Sequence, residues 1–292
     1  MRCNRFIQMA AVAWLIVTPV FAAPPGTLPF GAYDPDGDFS DDPDLTIEHL
    51  FMPWEDVNLS TLVDADNYAL ERNRALFITV EPWTWSRDER NTAEFLRNGI
   101  KGGYYDANMR SICRVIGTLQ SPISVRWGHE MEVNDGQFIW AAWTPADYIA
   151  AYRRMIEICR AEAPRINAVW SPLGEEGMAD YYPGDDYVDL VGLSIFGYEP
   201  WERATFGEPR TFAEILTERY DRAAVFNKPV VVVELGYSGS ADYVAQWENS
   251  VRLPRPTMEQ LVGVIYFNQK EVYPWPDGFG FPDWRLEYRE LE

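Results

Sequence analysis

The chain has 292 residues, 47% of them hydrophobic and 24% charged, and 45 acidic against 25 basic side chains give a formal charge of −20. So acidic a surface repels polyanions, which argues against nucleic acid and anionic membrane as partners and leaves a neutral ligand free to approach. With 12 Trp, 16 Tyr and 15 Phe, the aromatic content exceeds what a core requires and suggests a surface cleft lined by rings.

In chain order, MRCNR is a short basic segment and FIQMAAVAWLIVTPV an apolar one, followed by Val20-Phe21-Ala22 with small residues at the cleavage positions. This pattern predicts a signal peptide over 1–22, cut after Ala22, with residues 23–292 as one mature domain. The apolar stretch is shorter than the roughly 20 residues that span a bilayer, so the mature protein is expected to be secreted or periplasmic and free of the membrane. Losing Arg2 and Arg5 with the signal moves the formal charge from −20 to −22. Cys3 leaves too. Cys113 and Cys159, on the apolar faces of predicted helices, read as two buried thiols, although an exported protein is permitted a disulfide.

The acidic loop DPDGDFSDDPD at 34–44 invites a calcium reading but lacks the glycine and glutamate of a calcium-binding loop, so a solvated acidic turn is expected and no metal or cofactor is called for. Strand-like apolar runs follow at Phe30–Tyr33, Ile47–Met52, Ala75–Glu81, Ile123–Trp127, Ala168–Ser171, Val188–Ser194, Val230–Glu234 and Val262–Phe267. Most are apolar on consecutive positions, as strands buried on both faces are. Between them lie amphipathic stretches with helix starts. Thr144 precedes Pro145 and Asp147, and Thr211 precedes Glu214 by three positions. Eight such alternations without a linker predict a single (β/α)8 TIM barrel in the α/β class; a doubly wound open sheet is the alternative, but no Gly-rich dinucleotide loop follows the first strand.

In such a barrel the chemistry gathers at the C-terminal ends of the strands. Glu81, His129-Glu130, Ser171, Ser194, Glu234 and Asn268 all fall there. Glu130 and Glu234, after the fourth and seventh runs, are placed to meet across one mouth, and paired carboxylates are what glycoside hydrolysis requires. His129 lacks metal-ligand company, since the chain's other histidine is His49 and no Cys/His spacing supports zinc. Trp83, Trp85, Trp143 and Trp275 stand on loops beyond strand ends, where indole rings can stack on the apolar faces of neutral sugars.

VRWGHEM at 125–131 resembles the Arg-x-x-His-Glu-Met motif of glycoside hydrolase family 26, the β-mannanase and endo-β-glucanase family of retaining (β/α)8 barrels. Trp140 and Trp143, VWSP at 169–172, YYPGDDYVDLVGLS at 181–194 and KPVVVVELG at 228–236 follow in that family's order. The resemblance implies Glu130 as acid/base, Glu234 as nucleophile and His129 as a sugar-binding residue, with a neutral β-linked polysaccharide, mannan-type by family majority, as substrate. The chain departs from the mannanase pattern at Trp127, Glu132, Leu173 and Phe196, where that pattern has proline, asparagine, asparagine and a tyrosine; Tyr198 lies two residues beyond. These departures leave open a mixed-linkage β-glucanase or an exopolysaccharide-processing glycosidase. A glycan-binding barrel without turnover is the alternative of another class, disfavoured because a pure binder needs neither carboxylate.

Overall fold

The computed structural model describes residues 22–83 and 92–285; the expected signal peptide, apart from Ala22, and Trp85 lie outside them. Eight strands close into one barrel in chain order: β1 (Phe30–Tyr33), β2 (Leu45–Pro53), β3 (Ala75–Glu81), β4 (Ile123–Trp127), β5 (Asn167–Trp170), β6 (Leu190–Tyr198), β7 (Val230–Ser238) and β8 (Leu261–Phe267). Every pair is parallel, and β1 closes against β8 with Phe30 opposite Val264.

Side chains alternate between the two sides of this wall, as the pleat requires. Outward-facing Trp127 is fully buried against Tyr148 and Tyr152 of α4 (Pro145–Glu162). Each such side chain removed from water contributes roughly 1.5–3 kcal/mol. Inside, Phe77, Val169, Val231, Val233 and Ile265 form a separate apolar plug. Above it sits a buried polar layer comprising His49, Thr79, Arg126, Ser171, Ser194 and Glu234. The plug excludes water from below, and the polar layer faces the mouth.

The outer layer is less regular than eight alternations predict. α1 (Ser60–Glu71) follows β2, and both α2 (Ala93–Lys101) and α3 (Asp106–Ile116) follow β3. The crossover from β5 to β6 uses two short 3-10 turns at Met178–Tyr181 and Asp185–Tyr187. α5 (Glu199–Phe206) and α6 (Phe212–Ala224) follow β6, and α7 (Ala241–Val251) follows β7. Among the described residues no helix is long and apolar enough to cross a membrane.

Both predicted helix starts form. Thr144 accepts from the Asp147 backbone N–H to begin α4, and Thr211 with Glu214 makes a reciprocal capping box on α6. The cysteines depart from expectation. Cys113 of α3 and Cys159 of α4 are joined in a disulfide across a sequence separation of 46 residues. Each lies on the buried stripe of its helix, where the two helices pack side by side. A loop of that length, closed covalently, stabilises the fold by about 2–4 kcal/mol.

The 34–44 loop is organised by its own backbone and by Asn268. Asp34 accepts from the Phe39 N–H at 2.8 Å, and the Asn268 amide donates to both Asp34 and Asp38 at 2.8 Å. Among the described residues no cluster of three or more His, Cys, Asp or Glu side chains is placed to hold a metal.

Candidate active site

The chain leaves β4 through two residues in the left-handed region on either side of His129, Gly128 at φ +55° and Glu130 at φ +54°. For a non-glycine residue this conformation costs on the order of 1 kcal/mol or more and persists only where surroundings enforce it. Three contacts do so. The Glu130 N–H donates to the Ser171 carbonyl at 2.8 Å, the Trp140 indole donates to the His129 carbonyl at 2.6 Å, and the Ser194 hydroxyl donates to Glu130 Oε1. The strain thus fixes where a single carboxyl points.

Glu234 is aimed by a different device. Val233 belongs to the interior plug, so alternation would turn the next side chain outward. The β6–β7 register shifts at this point, with Leu193 opposite Val232 but Ser194 opposite Glu234. The extra residue on β7 lets Val233 and Glu234 both face the barrel axis, the re-aiming that a bulge provides. Ser194 therefore neighbours Glu234 in the ladder and hydrogen-bonds Glu130, tying the two carboxyls to one residue.

Their electrostatics differ. Arg126, fully buried, donates from Nη2 to Glu234 Oε1 at 2.6 Å, from Nε to Thr79 Oγ1 at 2.8 Å and from Nη1 to Ser171 Oγ at 3.4 Å. Thr79 in turn lies 2.8 Å from His49 Nε2. Burial and the Arg126 charge hold His49 neutral, sharing one hydrogen bond with the Thr79 hydroxyl, which also accepts from Arg126. Burial raises the Glu234 carboxyl, while the charge and hydrogen bond of Arg126 oppose that rise. Glu130 lacks such a partner. Burial and then the charge of Glu234 push it up to about 8, against the opposing Ser194 hydrogen bond and Arg126. Of the pair, Glu130 carries the proton and Glu234 the charge.

His129 lies beside Glu234, its Nε2 3.8 Å from Oε1, with only 2% of the residue exposed. Burial and then Arg126 depress it well below the usual imidazole range, so it is neutral and shares no ion pair. The predicted rings divide. Half-buried Trp83 packs edge-on against Trp140 at 4.9 Å on the β3–β4 side. Phe196, Tyr198 and Trp275 gather on the β6–β8 side, with Tyr198 at 5.8 Å and Phe196 at 6.3 Å from Trp275. Trp143 is a correction. Only 3% exposed, it turns inward and donates to the Ala93 carbonyl at 2.7 Å, so it packs α2 against the β4 loop and offers no stacking face.

One further carboxyl lies at this end of the barrel. Glu81, at the end of β3, is pushed up to about 7 by burial, opposed by a Trp83 hydrogen bond and Arg126 and reinforced by Glu234. Arg126 was not among the residues singled out from the sequence, although a charge inside an apolar parallel strand, VRW, was the signal that could have found it. Thr79 and His49 carry no such signal, because a buried hydroxyl or imidazole in an apolar run reads as core.

The family model described as "Glycosyl hydrolase family 26" matches residues 104–249. Endoglucanase H of Acetivibrio thermocellus is 26% identical over 249 residues, covering 79% of this chain and 26% of that protein. Mannan endo-1,4-beta-mannosidase A and B of Caldalkalibacillus mannanilyticus is 31% identical over 127 residues, covering 38% of this chain and 22% of that protein. The chain thus spans about a quarter of the length of these curated relatives. Among solved structures, a modular endo-beta-1,4-mannanase from Cellulomonas fimi superposes with a TM-score of 0.59 at 17% identity, over 77% of this chain and 58% of that one; at that identity the likeness is one of fold. The matched segment is half of the chain and contains Arg126, His129, Glu130 and Glu234; the chain belongs to glycosyl hydrolase family 26.

Proposed function

We propose that this protein is an exported endo-β-glycosidase that hydrolyses a neutral β-linked polysaccharide with retention, using Glu130 as acid/base and Glu234 as nucleophile. One observation carries the reading: two buried carboxyls share the barrel mouth, and only Glu234 is paired with a guanidinium. The ionised Glu234 attacks the anomeric carbon while Glu130 gives its proton to the departing glycosidic oxygen, so a glycosyl ester forms as the glycosidic bond breaks. Forming the ester removes the negative charge that kept Glu130 protonated. Glu130 then takes a proton from water, the hydroxide attacks the same carbon, and the ester breaks to regenerate Glu234. Such a mechanism requires the carboxyls to stand about 5–5.5 Å apart.

Trp83 on one side and Phe196, Tyr198 and Trp275 on the other supply apolar faces for sugar rings, with His129 beside the nucleophile. Trp85 is a further candidate ring. Mannan is the substrate of the family's majority, but two observations favour a β-glucan instead. The match to Endoglucanase H runs over 79% of the chain against 38% for the mannosidase, and Glu132, Leu173 and Phe196 depart from the mannanase pattern. The test is a reducing-sugar assay of residues 23–292 on mixed-linkage glucan, mannan, glucomannan and xylan. Release from the glucan at a rate at least about tenfold above mannan is expected; hydrolysis of xylan alone contradicts the substrate reading.

A further inference from the structure

We infer that Glu132 is a positioning residue for Glu130, a role that rests on the acid/base reading above. Its carboxylate anchors the loop after β4 to the loop after β5 and lays a second negative charge beside the proton donor.

Glu132 Oε1 accepts from the Gly174 N–H at 2.8 Å and from the Glu175 N–H at 3.2 Å. The loop it grips is locked from behind by α6. Arg222 donates to the Gly174 carbonyl at 2.8 Å, and Arg219 donates to Glu175 Oε1 at 2.6 Å. Gly174 sits at φ +104° with the Arg219 side chain 2.9 Å from where a Cβ would be, so no other residue fits this turn. Arg219 also donates to the carbonyl of Ser194, whose hydroxyl donates to Glu130. A closed circuit therefore runs from Glu130 along its own loop to Glu132, across to 174–175, through Arg219 to Ser194 and back to Glu130. An asparagine, as in the mannanase pattern, is one methylene shorter and uncharged.

The second oxygen, Oε2, is buried without a hydrogen-bond partner. Its field acts on what surrounds it. Burial and then hydrogen bonds from the 173–175 loop act on Glu132 in opposite directions, with a net rise. Burial raises both Tyr148 of α4 and Tyr181 of the following 3-10 turn, and Glu132 adds to the rise in each, at Tyr148 after Tyr152. Glu130 faces Glu234 from β7, Arg126 from β4, Ser194 from β6 and Glu132 from its own loop. Of these, Glu234 and Glu132 favour the protonated acid. Unlike Glu234, Glu132 forms no ester in the proposed cycle, so its influence on Glu130 is not removed when the intermediate forms.

The discriminating variant is Glu132→Gln, which preserves an acceptor for the two N–H groups and removes the charge. Like charge beside an acid favours its proton, so neutralisation lowers the point at which Glu130 ionises. The alkaline limb of kcat/KM is expected to move down by about half to one pH unit, and the acidic limb, set by Glu234, is expected to stay. Glu132→Ala, which also cuts the circuit, should show the same shift with kcat falling a further tenfold or so. The second measurement is a 13C NMR titration of glutamate carboxyl carbons, with Glu130→Gln supplying the assignment. An unmoved alkaline limb in active Glu132→Gln overturns the inference and leaves the acid/base reading intact. A moved Glu130 resonance in a protein that hydrolyses no glycan supports the electrostatic link and overturns the acid/base reading. Should Glu132→Gln fail to fold, Glu132→Asn is judged by the same limb.

Discussion

Glu234→Ala is expected to abolish glycan hydrolysis, by at least roughly a thousandfold in kcat/KM, while affinity for the oligosaccharide stays within about threefold. The reason is positional. Glu234 is 7% exposed and held by Arg126 at 2.6 Å, so its oxygen makes few contacts with a ground-state sugar and one decisive contact in the transition state. A small anion such as azide fits the vacated volume and attacks the anomeric carbon directly, so added azide should restore turnover and yield a glycosyl azide of inverted configuration. The measurement pairs steady-state kinetics with calorimetric titration of a non-hydrolysed oligosaccharide. A glycan-binding barrel without turnover predicts binding in both proteins and hydrolysis in neither. Loss of binding together with hydrolysis would assign Glu234 to structure.

The second large effect concerns Arg126. Arg126→Met fills much of the same volume but leaves Glu234 buried and unpaired, which costs about 3–5 kcal/mol and should lower the melting temperature by roughly 10 °C. Activity should fall by at least about a hundredfold, because without the guanidinium, burial and the Glu271 charge are unopposed and drive the nucleophile toward its protonated form. Arg126→Lys separates the two effects. It restores charge but lacks the fork that reaches Thr79, Ser171 and Glu234 together, so stability should recover more than rate. Thermal unfolding with parallel kinetics decides it. A methionine variant as stable and fast as the parent contradicts the assignment of Arg126 as the counter-ion.

The barrel was legible because parallel strands shielded on both faces leave uninterrupted apolar runs, and all eight runs are strands. Their ends were less so. β6 and β7 continue to Tyr198 and Ser238, because Phe196, Gly197 and Tyr198 pair with Gly236, Tyr237 and Ser238 although glycine and polar residues break the apolar pattern. Glu234 is accordingly inside its strand rather than at its end, and only the register shift turns it inward. Thr144 and Thr211 were legible as caps because capping is local chemistry of four residues. The Cys113–Cys159 bond was not, since a thiol and a half-cystine occupy an apolar helix stripe equally well and only the packing of α3 on α4 brings them together. Trp140 and Trp143 look alike in sequence. The 3-10 turn at Ile139–Ala142 directs one to the His129 carbonyl and the other to Ala93, leaving neither in the mouth.

The asymmetry of the two carboxyls has one direct readout in the product. Proton NMR of the first reducing ends released from the best polysaccharide, recorded before mutarotation, reports the configuration at the cleaved carbon. Attack by Glu234 followed by water at the same carbon predicts the β-anomer first, with the α-anomer appearing only as the sample equilibrates. An initial α-anomer would mean a single displacement by water, and Glu234 would then be a base rather than a nucleophile.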